Sequence, residues 1–215
     1  MALTDCINSY QIDSGNCSMN YLAHAYLSFG DSDILAGNMI SDFVKGKKKF
    51  DYPRQIQKGI MLHRTIDNFT DTHPATKAAI QILKPAVGAY AGAFADVVYD
   101  HFLANDSKQF GQTGLEGFAA DTYDILQSKV ILLPEKFKNM LPLMISQNWL
   151  LNYQTYTGIE NSFKAIFRRA KYIEYTPKAF DCFKTNYEAL NDCYQVFFPQ
   201  VKQMAFSKFK LLVIR

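Results

Sequence analysis

Apolar residues recur along most of this chain at the three- and four-residue spacing of α-helices. After Pro53, for example, Ile56, Ile60 and His63 follow one another at steps of four and three. Alternating strands bounded by Asn-Gly or Asp-Gly, the dipeptides typical of β-hairpins, do not occur. The pattern predicts an all-α protein, a single compact multi-helix domain of roughly eight or nine helices.

Proline and N-capping residues mark where several of these helices are expected to begin. The start signals are Pro53, Pro74, Thr113 with Glu116, and Thr157 with Glu160. From Pro177 onward, aromatic residues at helical spacing predict a long core helix that Pro199 interrupts.

The first 18 residues are more polar than those that follow and show no clear period. We expect residues 1–18 to be a flexible extension, with Met19 as a candidate natural start, and residues 19–215 to form the helical domain. The sequence shows neither a signal-peptide pattern nor an apolar run of the roughly 20 residues that a membrane helix needs. These features predict a soluble, cytoplasmic protein without membrane insertion.

Charge and cysteine content exclude further classes of protein. The net charge of +3 is too small to indicate a nucleic-acid-binding protein, although residues 45–49 and 164–171 are locally basic. Such runs are usually solvated surface, so an acidic partner for them needs separate support. Four cysteines without a CxxC pair predict reduced thiols rather than a disulfide scaffold or a zinc ribbon.

All four histidines lie in the first half of the chain, and His24, His63 and His101 have aspartates upstream or downstream of them. Imidazole and carboxylate groups bind divalent metals and transfer protons near neutral pH, so this clustering indicates a site. His73, in contrast, precedes Pro74 at an expected helix boundary and is interpreted as a turn residue.

Four helical segments place polar groups on faces that are otherwise apolar. These groups are Asn20 and His24; Asn38, Asp42 and Lys45; His63, Asp67 and Asp71; and Asp96, Asp100 and His101. Any one of them alone would be explained as a hydrogen-bonded pair in the core or on a helix surface. An ionised carboxylate on an apolar face requires a cation or hydrogen bonds, and four such segments in succession favour a common site.

The chemistry of this set indicates a metal-dependent phosphohydrolase. Histidines and aspartates without thiolate suit Mn²⁺, Fe²⁺, Mg²⁺ or Zn²⁺, and the oxygen-rich balance favours the harder ions. Such an ion polarises a phosphoryl oxygen and lowers the pKa of a bound water. Arg64, beside His63, has the forked donors that bind phosphate. No Gly-rich phosphate loop or serine nucleophile elbow offers a competing scheme.

Several segments resemble the signature segments of the acyl carrier protein phosphodiesterase family, in order and in spacing. They are MNYLAHAYLS, AGNMISDFVKG, GIMLHRTIDNFTDTHP, DVVYDHFLA, SQNWLLNYQTYTGIENSF and YQVFFPQV. The resemblance implies an all-helical, HD-domain-like metal phosphohydrolase that releases 4'-phosphopantetheine from a serine of acyl carrier protein. It also implies a divalent cation, usually manganese, and an acidic carrier protein as partner for the basic segments.

The sequence departs from the ordinary HD pattern at one position, because Arg64 stands where HD enzymes have an aspartate directly after the central histidine. Asp67 or Asp42 could supply that missing carboxylate. The metal ligands expected on this basis are His24, Asp42, His63 and Asp100. Asp67 is expected as a ligand or general base, Arg64 and His101 as further catalytic groups, and Asn38, Lys45 and Arg64 as substrate contacts.

Two other functions remain open from the sequence. A metal hydrolase with this site could act on a nucleotide or another small phosphoester, because a fold and its site do not fix the substrate. Alternatively, the chain could be a helical binding protein without catalysis, whose polar groups form structural networks. The sequence does not indicate the oligomeric state.

Overall fold

The computed structural model describes residues 21–213, which form eleven α-helices and contain no strand. The helices are α1 (Tyr21–Tyr26), α2 (Ser32–Ile40), α3 (Arg54–Thr72), α4 (Pro74–Val87), α5 (Ala91–Asn105), α6 (Gly114–Ser128), α7 (Glu135–Ser146), α8 (Trp149–Asn152), α9 (Tyr156–Arg169), α10 (Lys178–Thr185) and α11 (Tyr187–Val213). The all-α prediction is therefore confirmed. The helix count exceeds the expected eight or nine because α1 and α8 are too short to show a clear period in the sequence.

The predicted extension 1–18, together with Met19 and Asn20, lies outside the described residues. Within residues 21–213, no helix combines the length and the apolar character needed to cross a bilayer.

Among the described helices, α2 and α3 make the most extensive contact, and glycine permits it. Gly37 of α2 faces Gly59 of α3, and a Cβ added at Gly37 would lie 2.9 Å from the Gly59 Cα and closer still to the Ile56 carbonyl oxygen. The two backbones therefore approach more closely than any side chain would allow. This contact fixes the end of α2, and the residues that follow it, against the middle of α3.

Helix α5 lies at the centre of the fold, where it packs against α1, α4, α9 and α11. Its buried residues surround the helix axis and include Phe94, Val98 and Leu103. Asp100 is fully buried and accepts hydrogen bonds from the backbone N–H groups of Leu22 at 3.0 Å and Ala23 at 2.9 Å. A carboxylate on α5 thus caps the first turn of α1 and holds it in place.

The C-terminal region differs from its prediction at Pro199. Helix α11 continues through this residue to Val213 instead of ending there, and a separate α10 precedes it. Pro199 itself is exposed, while Phe197, Phe198 and Val201 are buried in the core. Proline inside a helix costs about 3 kcal/mol, so we attribute the continuous helix to the packing of these neighbours.

The proline start signals are confirmed, because Pro53 immediately precedes α3 and Pro74 is the first residue of α4. His73 is a turn residue, as predicted, and its Nδ1 accepts from the Ala75 N–H at 3.2 Å. The capping box at Thr157 is wrong: the hydroxyl oxygen of Thr155 accepts from the Gly158 N–H at 2.9 Å and begins α9.

Candidate metal centre

Two imidazoles and two carboxylates from neighbouring segments meet at one end of the α1–α2–α3 unit. His24 lies on α1, Asp42 in the short 3₁₀ helix Ser41–Phe43, and His63 and Asp67 on successive turns of α3. His63 Nε2 lies 3.1 Å from Asp42 Oδ1 and 3.0 Å from Asp67 Oδ2, while His24 Nε2 lies 3.2 Å from Asp67 Oδ1. The structure thus brings together four residues that the sequence singled out.

The centre is buried on its imidazole side and open on its carboxylate side. The His24 and His63 side chains are 3% and 4% exposed, and their rings stack with centroids 3.9 Å apart. Asp42 and Asp67 are 23% and 20% exposed. A small solute can therefore reach the carboxylate oxygens while the core shields the rings.

Asn38 fixes the orientation of His24. Its side-chain oxygen lies 2.7 Å from His24 Nδ1, and its amide nitrogen donates to the His24 carbonyl at 2.8 Å and to the Ser28 hydroxyl at 3.1 Å. The donors on the Asn38 amide leave its oxygen as the acceptor, so Nδ1 of His24 carries the proton. His24 Nε2 then presents a lone pair, and no hydrogen bond satisfies this buried nitrogen.

The pKa values of the two histidines are shifted in opposite directions. Burial is the main reason that the pKa of His24 is lowered, with repulsion from His63 second, so His24 is neutral at neutral pH. Burial would also lower the pKa of His63, but hydrogen bonds to Asp42 and Asp67 raise it to about 10. Burial acts to raise the pKa of Asp67, yet its short contacts with His24 and His63 bring it below its usual value. Without a cation, the centre therefore holds an imidazolium between two carboxylates.

The donor set fits a divalent cation. One ligand atom each from His24, His63 and Asp67 lie within 4.8 Å of one another. Ligands at right angles around an ion at about 2.1 Å lie about 3.0 Å apart, which matches the separations between the nitrogens and the carboxylate oxygens. The unsatisfied Nε2 of His24 is also the atom that a cation would use.

Arg64 directly follows His63 in the chain and Lys45 follows Asp42 by three residues, and we call these two positions the rim of the centre. Arg64 follows His63 on α3, is exposed, and donates from Nη2 to the Val44 carbonyl at 2.8 Å. This bond ties the segment after Asp42 to α3. Lys45 is exposed next to that anchor. Asn38, in contrast, is fully buried behind His24 and does not face a space that substrate could enter.

Asp100 and His101 make their hydrogen bonds with groups outside this cluster. Both Asp100 oxygens are engaged by the start of α1, as described above. His101 is buried with Nδ1 2.7 Å from the Tyr153 carbonyl and Nε2 3.1 Å from the Tyr187 hydroxyl. These two adjacent residues, whose side chains point about 100° apart on α5, therefore contact different parts of the fold. The idea that both could reach one site is not what the structure shows.

Asp96 is a carboxylate near the centre that was not among the ligands expected from the sequence. Burial raises its pKa well above the usual value, and the negative charges of Asp67 and Asp71 raise it further. No hydrogen bond or ion pair to Asp96 occurs among the described residues. The sequence signal was present, since Asp96 shares an α5 face with Asp100, but spacing alone did not show which aspartate was already occupied.

The chain is similar to known acyl carrier protein phosphodiesterases. The family model with that description matches residues 19–201. The acyl carrier protein phosphodiesterase of Photorhabdus laumondii is 28% identical over 191 residues, which cover 88% of this chain and 96% of the relative. Proteins of the same name from Serratia proteamaculans and Klebsiella pneumoniae are 30% and 31% identical, and each match covers 88% of this chain and 99% of the relative. No solved structure matches the chain significantly.

Proposed function

We propose that this chain, which belongs to the acyl carrier protein phosphodiesterase family, is a hydrolase of holo acyl carrier protein. It would cleave the phosphodiester between 4'-phosphopantetheine and the carrier serine, giving apo carrier protein and free 4'-phosphopantetheine. The observation that supports this most directly is the His24–His63–Asp67 cluster, which lies within the matched region and has the donor set of a metal phosphohydrolase.

We assign four residues to hold a divalent cation: His24 and His63 through Nε2, and Asp42 and Asp67 through their carboxylates. Manganese is our preferred ion, because two imidazoles and two carboxylates suit a harder divalent metal. When bound, the cation would polarise a phosphoryl oxygen and lower the pKa of a water molecule. The relationship to HD-domain enzymes remains part of this proposal, since Asp42 and Asp67 would replace the aspartate absent after His63.

Groups of the protein itself would position the phosphodiester and the water. Arg64 is held by the Val44 carbonyl through one donor, so its other donors can bind phosphate oxygens with little further loss of entropy. Lys45 adds positive charge at the same rim. Asp96, whose carboxylate has no partner among the described residues, would accept a hydrogen bond from the attacking water. We place the reaction in the cytoplasm, where Cys182 and Cys193 would stay reduced thiols.

Mass spectrometry of the carrier protein tests the activity. Purified protein with Mn²⁺ is expected to convert holo to apo carrier, seen as loss of the phosphopantetheine mass, and a chelator is expected to stop the conversion. Absence of conversion with Mn²⁺, Fe²⁺, Mg²⁺ and Zn²⁺ would reject the proposed substrate. Hydrolysis of nucleotides or bis(4-nitrophenyl) phosphate with inert holo carrier would favour a small-molecule phosphohydrolase instead.

Metal content tests the ligand assignment separately from activity. His63→Gln and Asp67→Asn are expected to lose most of the bound metal, because each removes a donor from the cluster. Asp100→Asn is the matched comparison: it should keep its metal while losing about 1–3 kcal/mol of stability, since it weakens the cap of α1. Elemental analysis and chemical unfolding of the three variants give both quantities. Metal loss in Asp100→Asn with metal retained in Asp67→Asn would reverse the assignment.

A further inference from the structure

Positive charge is concentrated beside the candidate metal centre. Residues 45–64 contain seven lysines and arginines and a single acid, Asp51, a net charge of +6, whereas the whole chain has a net charge of +3. The remaining residues are therefore acidic on balance. The basic residues are Lys45, Lys47, Lys48, Lys49, Arg54, Lys58 and Arg64. We refer to these seven side chains as the basic surface.

The lysine-rich segment of residues 45–51 is fixed to α3 at both of its ends. Arg64 donates to the Val44 carbonyl at 2.8 Å, and the Gln57 side-chain amide donates to the Tyr52 carbonyl at 2.8 Å. Gln57 and Arg64 lie two turns apart on one side of α3, next to the face that presents His63 and Asp67. The lysines between these anchors are consequently held along the edge of the metal centre.

The basic surface is not neutralised by its own chain. Lys45, Lys47 and Lys48 are exposed, and none of the lysines of this segment forms an ion pair with a described residue. The same stretch, residues 45–64, contains two exposed large apolar side chains: Phe50 is 63% exposed and Met61 is 39% exposed. Exposed aromatic and methionine side chains within a charged surface are typical of protein interfaces.

The second basic segment of the chain lacks these properties. Lys164 pairs with Glu160 at 2.8 Å, and the helix that bears both, α9, has its main contacts with α5, α8 and α10. Its charge is thus partly compensated and lies on a helix that carries no residue of the metal centre. The two basic segments look alike in the sequence, but in the structure they differ in how far their positive charge is compensated and in which elements carry it.

We propose that the basic surface, with Phe50 and Met61, is the docking site for the carrier, which would present a complementary acidic surface to it. This inference rests on the proposed function. A phosphodiester attached to a protein can enter the centre only if the carrier surface lies against its rim. An acidic rim on the carrier would be attracted to the lysines, and Phe50 and Met61 would contact its apolar residues.

Charge reversal tests the surface without depending on turnover. In Lys47→Glu/Lys48→Glu, the affinity for fluorescently labelled apo carrier, measured by anisotropy, is expected to fall by roughly tenfold or more. The ratio of kcat/KM on holo carrier to kcat/KM on bis(4-nitrophenyl) phosphate should fall similarly. Lys171→Glu/Lys178→Glu makes the same change in net charge on exposed positions elsewhere and should leave the affinity within about twofold. Phe50→Ser should weaken binding without lowering the thermal stability.

Equal losses in the two double variants, or no loss in Lys47→Glu/Lys48→Glu, would overturn the docking site. Tighter binding of wild-type protein to duplex RNA or to anionic vesicles than to the carrier, lost in the same variant, would assign the surface to nucleic acid or membrane and overturn the proposal as well. If wild type binds carrier through these lysines but never converts holo carrier, the proposed function fails and the docking site stands. If it converts holo carrier and the variants are unaffected, the docking site alone fails.

Discussion

His24 can present a ring nitrogen to a cation because Asn38 controls the other nitrogen. The amide of Asn38 is fixed by the His24 carbonyl and by Ser28, so its oxygen holds the Nδ1 proton of His24. Partners of this kind orient metal-binding histidines and select their tautomer. Asn38 was expected as a substrate contact, whereas its burial and bonds support a positioning role.

Asn38→Ala tests this role. We expect the variant to retain His24 and every other proposed ligand but to bind Mn²⁺ about 10- to 100-fold more weakly, because His24 becomes free to rotate and to change tautomer. Isothermal titration with Mn²⁺ measures the affinity. Asn38→Asp serves as the comparison, since its carboxylate can still accept a hydrogen bond from the Nδ1–H group of His24 and should restore part of the affinity. Wild-type affinity in Asn38→Ala would show that the hydrogen bond is not needed.

The buried His101 leads to a different prediction, which concerns the stability of the folded protein at acidic pH. Burial lowers its pKa from 6.5, against the opposing hydrogen bond to the Tyr153 carbonyl, so the folded protein favours the neutral ring. A pKa lowered by folding means that this stability is present above pH 6.5 and is lost as the pH falls below that value. The slope from one such group is at most about 1.4 kcal/mol per pH unit.

The test compares the wild-type protein with His101→Gln, both in the presence of a chelator. Urea unfolding at several pH values gives the free energy of unfolding of each protein. We expect the variant to be less stable at neutral pH, because it loses the bonds to Tyr153 and Tyr187, but to lose less further stability on acidification. His24, also buried and neutral, titrates in both proteins and cancels in the difference. Parallel pH dependences for the two proteins would contradict the assignment to His101.

At the scale of helices, the geometry of the metal centre depends on how closely α2 approaches α3. The 3₁₀ helix bearing Asp42 begins directly after α2, while His63 and Asp67 lie on α3. The spacing between these groups is set by the glycine contact, because Gly37 and Gly59 place backbone against backbone. A small displacement of α2 would therefore move Asp42 away from His63.

Gly37→Ala should both destabilise the fold and weaken metal binding. The added Cβ would meet the backbone of Ile56 and Gly59, which cannot move aside as a flexible side chain would, and overpacking of this kind costs about 1–3 kcal/mol. Gly92→Ala is the matched control, because a Cβ there meets nothing within 4 Å and alanine favours the helix by up to about 1 kcal/mol. Chemical unfolding and Mn²⁺ titration of both variants measure the two effects. Similar stabilities in the two variants would show that α2 can shift without cost.

Local periodicity predicted the elements better than it predicted their partners. The α3 face of Ile56, Ile60 and His63 repeats along one helix, so three- and four-residue spacing was enough to find it. Asp100 shows the limit, because its partners, the N–H groups at the start of α1, are 77 and 78 residues away in the chain. The carboxylate was recognised as unusual, but only the packing of α1 on α5 shows that it caps a helix.

Helix propensity failed for a related reason at Pro199, where tertiary packing of the neighbouring residues outweighs the cost of proline.

Arg64 marks a third position at which spacing along the chain was not enough. Its position after His63 was a departure from the HD pattern, and the sequence left open which aspartate would compensate. The structure places both candidates, Asp42 and Asp67, within 3.1 Å of His63 Nε2. Distances between segments, rather than spacing along one, were the missing information.

For the molecule as a whole, the proposed cation would connect three segments that the chain otherwise joins through packing and through hydrogen bonds such as that from Arg64 to the Val44 carbonyl. Its donors come from α1, from the 3₁₀ helix after α2, and from α3, and these elements are supported from behind by α5 and α11. In the metal-free state, the same position holds the His63 imidazolium between Asp42 and Asp67. A cation would replace that ion pair and would bind only the folded protein.

Thermal unfolding should therefore depend on Mn²⁺. Binding to the folded state alone stabilises a protein by about 2.7 kcal/mol when the free ion is at 100 times its Kd, which corresponds to a rise in Tm of roughly 5–10 °C for a chain of this size. Because the pKa of His63 is raised to about 10, the ion must displace a proton at neutral pH. At a fixed Mn²⁺ concentration, the rise in Tm should consequently be larger at pH 8 than at pH 6.5. Asp67→Asn should show little rise at either pH, and an equal rise in that variant would place the stabilising ion elsewhere on the protein.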